Sequence, residues 1–337
     1  MILYKLVNTY IKVGLFFFYK KITISGKENI PNNGPILFVA NHQNAMMDPL
    51  IVGTKSGKVM YFLARASAFK NKIAAKLLRA IHAIAIYRVR DGVDSKAKNE
   101  AVFKECLNLF NKGENMLIFP EGSHSIKRQV RSLRAGFVRM TFDYLKENPQ
   151  KDLRIIPIGL NYDNTINYAK ELHVIYGKPI STRQFFNEKD VNKSQSDLIN
   201  KVHQQLKRIT VHIEDENYEA KFDSLTEKDF LTPIKSNERL KRNNSQVASS
   251  NNSKSKNLFY YLMQLNSIFP FLIWKGLEPK IAAREFISTA KFSLGLTAFP
   301  LFYFIQTLLV YRFFGSIYAL LYVALTFILV FLSTKTR

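Results

Sequence analysis

Two runs of 20 residues, Phe292–Tyr311 and Phe313–Leu332, contain no charged side chain, and only Arg312 stands between them. At a rise of about 1.5 Å per residue, each run is long enough as a helix to cross a hydrocarbon core of ~30 Å. So short a separator makes a tight helical hairpin the expected fold, with spans over 292–311 and 313–332. Lys275, Lys280, Arg284 and Lys291 precede the first run, Lys335 and Arg337 follow the second, and the turn offers Arg312 alone. That bias places both ends of the hairpin, and the domain before it, on the cytosolic side. Upstream, Leu258–Trp274 is apolar but interrupted by Gln264, Asn266 and Pro270. It reads as an interfacial, re-entrant or buried helix rather than a span. A membrane-associated region over 257–337 is expected.

The N-terminus has its own pattern. Residues 1–19 set Leu3, Val7, Tyr10, Ile11, Leu15 and Phe18 on one side of a helix, and Lys5, Asn8 and Lys12 on the other. The lysines argue against a span, and no small-residue cleavage site follows Phe18. Segment 1–21 therefore reads as an amphipathic helix in the lipid headgroups, with packing on its own domain as the alternative.

Residues 22–180 alternate strand and helix. The strand-like runs are Ile22–Ser25, Ile36–Ala40, Val59–Leu63, Ala83–Tyr87, Met116–Phe119, Arg154–Gly159 and Leu172–Tyr176. Helical patterns fall at 71–81, 96–111 and 133–146, and a further amphipathic helix at 194–213. This alternation implies an α/β fold, a mostly parallel sheet flanked by helices, in a domain over 22–234. Residues 235–256 hold six basic residues and one acid among many Asn and Ser, which predicts a basic flexible linker.

The net charge of +23 calls for an anionic partner. No zinc-ligand spacing, aromatic RNA-binding signature or recognition helix points to nucleic acid. With apolar runs at the C-terminus, anionic phospholipid is the expected partner. The single Cys106 cannot form an intrachain disulfide and falls in an apolar helical pattern with Val102, Leu107 and Phe110, so it reads as packing in a reducing compartment.

Chemistry concentrates at two strand ends. Asn41-His42-Gln43-Asn44-Ala45-Met46-Met47-Asp48-Pro49 follows the apolar run Ile36–Ala40, and Phe119-Pro120-Glu121-Gly122-Ser123 comes at the end of the run Asn115–Phe119. Open α/β sheets bind their ligands at such ends. A histidine with a nearby carboxylate can take a proton from a hydroxyl, the carboxylate fixing the imidazole tautomer. Asp48-Pro49 also looks like a helix N-cap followed by proline at the first helical position. A continuous helix would set His42 and Asp48 ~120° apart around its axis, so part of this stretch must be loop if the two are to meet. His173, His203 and His212 show no metal-ligand spacing, and no metal site is expected.

Four blocks in order resemble the PlsC-like glycerolipid acyltransferases: NHQNAMMDP at 41–49, AIAIYR at 83–88, FPEGSHS at 119–125 and IIPIGL at 155–160. The resemblance spans roughly Ile22 to Tyr176. It implies an acyl group moved from a thioester, acyl-CoA or acyl carrier protein, to the hydroxyl of a glycerol phosphate, with no other cofactor. It implies catalytic roles for His42 and Asp48, and acceptor binding by Arg88, with Arg90 assisting. Glu121, Gly122, Ser123 and His124 would form the phosphate loop, Glu121 orienting an arginine or the acceptor hydroxyl. Arg134-Ala135-Gly136 resembles the family's basic-x-Gly element at the start of the next helix, an anion site. Pro157 would shape its strand and the acyl path.

The chain departs from the common pattern in three places. Five residues separate His42 from Asp48 where most relatives have four, which resembles fungal-type glycerol-3-phosphate and dihydroxyacetone-phosphate acyltransferases. His82 stands where many relatives open the second block with glycine. His124 stands where lysophosphatidate-type relatives carry arginine, with Lys127, Arg128, Arg134 or His124 itself as compensation. The expected acceptor is 1-acylglycerol 3-phosphate, with glycerol 3-phosphate or dihydroxyacetone phosphate as the alternative. A non-catalytic membrane scaffold retaining the fold is the alternative of another class.

Overall fold

The structure is a computed structural model that describes residues 2–87, 95–242 and 257–336. The chain opens with helix α1 (Ile2–Phe18), strands β1 (Lys21–Ser25) and β2 (Ile36–Ala40), and helix α2 (Met47–Lys55). Then come β3 (Met60–Arg65), α3 (Lys72–Ala80), β4 (Ala83–Ile86), α4 (Ser95–Asn111), β5 (Asn115–Ile118) and α5 (Gly136–Glu147). β6 (Arg154–Tyr162), β7 (Glu171–Tyr176) and β8 (Ile180–Ser181) precede α6 (Val191–Ile209), α7 (Tyr218–Asp223) and α8 (Pro233–Lys241). Five helices close the chain: α9 (Leu258–Asn266), α10 (Ile268–Leu277), α11 (Ile287–Leu296), α12 (Ala298–Phe314) and α13 (Ser316–Lys335).

One sheet runs in the order β1-β7-β6-β2-β5-β3-β4, with β8 also on β6. β6 meets β7 and β8 antiparallel, and the other pairings are parallel. β2 lies between β5 and β6, every residue of it buried, as a parallel strand covered on both faces must be. Its side chains alternate between two cores. Ile36, Phe38 and Ala40 join Ile11, Leu15, Met47 and Ile51 under α1 and α2; Leu37 and Val39 join Cys106, Phe137 and Leu198 under α4, α5 and α6. Burial pushes the Cys106 thiol up to about 12, which makes it an inert packing group.

Four boundaries differ from expectation. The helix after His42 is capped at Met46, so Asp48 and Pro49 lie inside the first turn of α2 and Asp48 is not its cap. The helix predicted over 194–213 stops at Ile209; Val211 and Ile213 leave it to form a small core with Leu225 and Phe230. The predicted linker 235–256 begins inside α8, where Asn237 donates to Lys207 O and Thr210 O at 2.8 Å each; residues 243–256 lie outside the described residues. The hairpin turns at Gly315, φ 89°, rather than at Arg312, because a helix tolerates a charged side chain but not a left-handed residue.

The segment Leu258–Trp274 forms two helices broken at Ser267. Its polar interruptions find partners in the hairpin: Ser267 Oγ lies 2.6 Å from Tyr303 OH, and Gln306 donates to Asn266 O at 3.3 Å while accepting from Tyr322 OH at 2.7 Å. Two helical stretches, Arg284–Phe314 and Ser316–Lys335, are long and apolar enough to cross a membrane. They join the domain at the end of α1. There Lys335 Nζ donates to Phe16 O at 2.7 Å and Tyr19 O at 2.8 Å, a cation on a helix C-terminus. Helix α1 has two apolar sides. Ile11, Leu15 and Phe18 are buried against the domain, while Leu3, Leu6, Val13 and Phe16 stay exposed.

Candidate active site

The loop that follows β2 bends back so that His42 Nδ1 lies 2.8 Å from Asp48 Oδ2. Residues 41–46 are not helical, and this lets the longer spacing close. The loop places Ala45 at φ 33°, a strained value for a residue with a Cβ. Asn41 secures the base of the loop: its side chain donates to Leu160 O at 3.1 Å and accepts from Leu160 N at 2.8 Å. Asp48 is wholly buried and accepts four hydrogen bonds. Besides His42, Gln43 N donates at 2.9 Å and Asn44 N at 2.8 Å to Oδ2, and Tyr162 OH donates at 2.5 Å to Oδ1. With Nδ1 held by the carboxylate, Nε2 is the ring nitrogen left to take a proton. The imidazole lies flat on the Phe119 ring, centroids 4.1 Å apart.

Tyr162, at the end of β6, was not anticipated from sequence. Burial first, and then the Asp48 carboxylate, hold its phenol well above the usual range, so it stays a donor. Tyr162→Phe removes one of four bonds to a buried charge. We expect a roughly tenfold lower kcat, about 1.4 kcal/mol, with KM for both substrates unchanged. Steady-state kinetics check this, and an unchanged kcat would show that the hydroxyl is dispensable.

The second loop is built around Arg131, also not anticipated. Its Nε donates to Glu121 Oε2 and its Nη1 to Ser123 Oγ, both at 2.7 Å, and its Nη2 reaches Ser123 O. Glu121 is buried; burial raises its carboxyl and the Arg131 guanidinium opposes that rise. Gly122 turns the chain at φ 74°, and a Cβ there would collide with the Arg134 side chain. Arg134 thus lies over the loop at the start of α5. Ser125 N donates to His42 O at 3.0 Å, tying the two motifs together.

The other expected cations behave differently. Arg128 is buried behind the site, donating to Gln43 Oε1 at 3.1 Å and Asp163 O at 3.2 Å against the Phe230 ring, and Lys127 faces the Tyr218 ring. His124 sits between the His42 and Phe286 rings, at 5.5 and 4.9 Å. Burial, and then the neighbouring His42, lower its basicity, so at neutral pH it does not replace an arginine's charge. Arg131 and Arg134 are the loop's cations. Arg88 and Arg90 lie outside the described residues; β4, which leads to them, ends at Ile86. His82 adopts φ 65°, a left-handed conformation that favours glycine, and its ring is sandwiched between Tyr4 at 4.5 Å and Tyr61 at 4.6 Å. Pro157 sits within β6, where its carbonyl accepts from Gly177 N.

Phe286 brings the C-terminal region to the rim of the site. Ser288 Oγ donates to Thr165 O at 2.6 Å and Lys291 Nζ to Ile166 O at 3.1 Å, anchoring the start of α11 beside the loop after β6. Among the described residues, no group of three or more His, Cys, Asp or Glu side chains could hold a metal.

The structure thus sets a histidine–carboxylate pair beside an arginine-braced glycine loop at the ends of parallel strands, an arrangement with the groups to accept a proton and to meet an anion. The family model described as Acyltransferase matches residues 21–161, and those residues form a domain of that family. The chain is 26% identical over 125 residues to the chloroplast 1-acyl-sn-glycerol-3-phosphate acyltransferase of Arabidopsis thaliana, covering 37% of this chain and 33% of that one. It is 28% identical over 132 residues to the 1-acyl-sn-glycerol-3-phosphate acyltransferase of Borreliella burgdorferi, 39% of this chain and 50% of that one. To the glycerol-3-phosphate acyltransferase of Shewanella woodyi it is 27% identical over 118 residues, 26% of this chain and 15% of that one. Among solved structures, the 1-acyl-sn-glycerophosphate acyltransferase PlsC of Thermotoga maritima matches at 18% identity and a TM-score of 0.44, over 60% of this chain and 79% of that one. The chain thus spans between about a third and a half of the first curated relatives it matches.

Proposed function

We propose that the protein is a membrane-bound O-acyltransferase that moves a fatty acyl group from acyl-CoA or acyl carrier protein to a glycerol-phosphate hydroxyl. The acceptor is 1-acylglycerol 3-phosphate and the product phosphatidic acid. The His42–Asp48 pair, 2.8 Å apart beside the 121–124 loop, carries the proposal. His42 Nε2 takes the hydroxyl proton as that oxygen attacks the thioester carbonyl. The C–S bond breaks, and the departing sulfur receives the proton from the imidazolium. A thioester leaves readily, so positioning and one general base suffice without a covalent enzyme intermediate. The loop with Arg131 and Arg134 receives the acceptor phosphate, with Arg88 as a further ligand.

Glycerol 3-phosphate is the rival acceptor, favoured by the five-residue His42–Asp48 spacing. Purified protein with labelled acyl donor and a panel of acceptors separates the two by the lipid formed. Acylation of neither, with donor intact, would contradict the proposal. Arg88→Ala is expected to raise KM for the phosphorylated acceptor much more than for the donor, and Arg88→Lys to recover only part, because an ammonium lacks the paired geometry of guanidinium on phosphate. Equal effects on both substrates would make Arg88 structural.

The hairpin of α12 and α13 spans the bilayer with both ends cytosolic, supported by its length, its apolar surface and the basic residues at its two ends. Ser316 and Thr336 are exposed positions for single cysteines, and native Cys106 is buried. In intact cells, an impermeant thiol reagent is expected to label Ser316→Cys and spare Thr336→Cys; labelling at 336 would overturn the orientation.

A further inference from the structure

We propose that helix α3 is a membrane-contact element that lies along the surface of an anionic bilayer beside the N-terminal half of α1. The inference rests on the reading that the hairpin spans the membrane.

Helix α3 carries two apolar faces. Ala75 and Leu78 are buried against the domain. Ile73 and Leu77, one turn apart on the outer side, are 74% and 57% exposed, far more than the domain's own packing requires. The helix is sharply started, Asn71 accepting from Ile73 N at 2.9 Å and Ala74 N at 3.1 Å, so these side chains are presented on a defined surface. An isolated exposed leucine needs no explanation, but a paired outward stripe on a nine-residue helix with its own inner face does.

Charge decides which partner covers the stripe. Lys70, Lys72, Lys76 and Arg79 are all exposed around it. The 42 residues from Pro49 to Arg90 contain nine Lys and Arg and not one Asp or Glu. Apolar side chains flanked by basic ones alone match the boundary between acyl chains and anionic headgroups. They do not match a protein surface, which would need acids in register with each base.

Position makes the surface continuous. The His82 ring, two residues beyond α3, is stacked on Tyr4 of α1 at 4.5 Å. Ile2, Leu3 and Leu6, the exposed residues around Tyr4, are 78%, 55% and 63% exposed. The far end of α1 joins α13, whose outer face is exposed leucine and phenylalanine. The apolar surface thus runs from the hairpin along α1 to α3, and α3 ends where the chain enters β4 on its way to Arg88.

The test uses the full-length protein with its only tryptophan removed, Trp274→Phe, reconstituted in vesicles containing phosphatidylglycerol. Single reporters are then introduced at Ile73→Trp, Leu77→Trp and, as a control in α13, Leu325→Trp. Lipids brominated near the headgroup are expected to quench the emission at 73 and 77 by roughly half, with a blue shift, and the extent should fall in vesicles of phosphatidylcholine alone. Quenching at 325 with water-exposed, unquenched emission at both 73 and 77 overturns the proposal and leaves the spanning reading intact. No quenching at 325 by lipids brominated at mid-chain overturns the spanning reading itself. Quenching at 73 and 77 that is indifferent to lipid charge overturns the anionic partner.

Discussion

His42→Ala is expected to lower acyl transfer by at least ~10²–10⁴-fold while the protein stays folded. The imidazole is mostly buried but reaches solvent, its side chain 16% exposed, and it belongs to neither main hydrophobic core, so the space it leaves opens to the site. What remains is a buried Asp48 still accepting from Gln43 N, Asn44 N and Tyr162 OH, which preserves the loop. The loss should therefore fall on kcat. Thermal unfolding of the variant beside the wild type separates the two causes, and wild-type turnover by a folded His42→Ala protein would sink the mechanism.

Arg131→Ala should produce the second largest effect, and on two properties at once. It strips Glu121, whose side chain is 2% exposed, of its cation and leaves Ser123 unheld. Breaking a buried ion pair from one side costs ~3–5 kcal/mol; the partial exposure of Arg131 puts the expected loss at the lower end. The pH dependence has a definite sign. Burial already raises the Glu121 carboxyl and Arg131 holds it down, so removing Arg131 raises it further. A carboxyl raised in the folded state supports folding while protonated and loses that contribution as pH rises. The stability deficit of the variant should therefore be small in acid and grow towards pH 8. Glu121→Gln in the same chain should restore much of the stability and little of the activity, because the loop still lacks its cation. A deficit independent of pH would mean that the pair does not form.

What could be read from the sequence follows from where each constraint resides. β2 was legible to the residue because five consecutive apolar residues are buried on both faces. His42 and Asp48 were legible as partners because only a short loop separates them. Tyr162 was not, because its bond to Asp48 joins positions 114 residues apart and nothing local marks it. Arg131 lies in a run of four arginines between 128 and 139, and only the fold of the glycine turn decides which of them reaches Glu121. Helix α8 from residue 235 on reads as linker in the sequence because the helix buries only Pro233 and Ser236, too little apolar surface to leave a periodic signal. The role of His82 is not legible in the sequence because it rests on a left-handed backbone, a property of conformation rather than of side-chain pattern.

The most direct measurement is the transfer itself. Purified full-length protein in phospholipid vesicles is given isotope-labelled palmitoyl-CoA and 1-acylglycerol 3-phosphate, with His42→Ala alongside, and the lipids are resolved by mass. Labelled phosphatidic acid from the wild type, with free thiol released in equal amount and neither product from His42→Ala, is the predicted result. Hydrolysis of the thioester without a new ester, or equal product from both proteins, would contradict it.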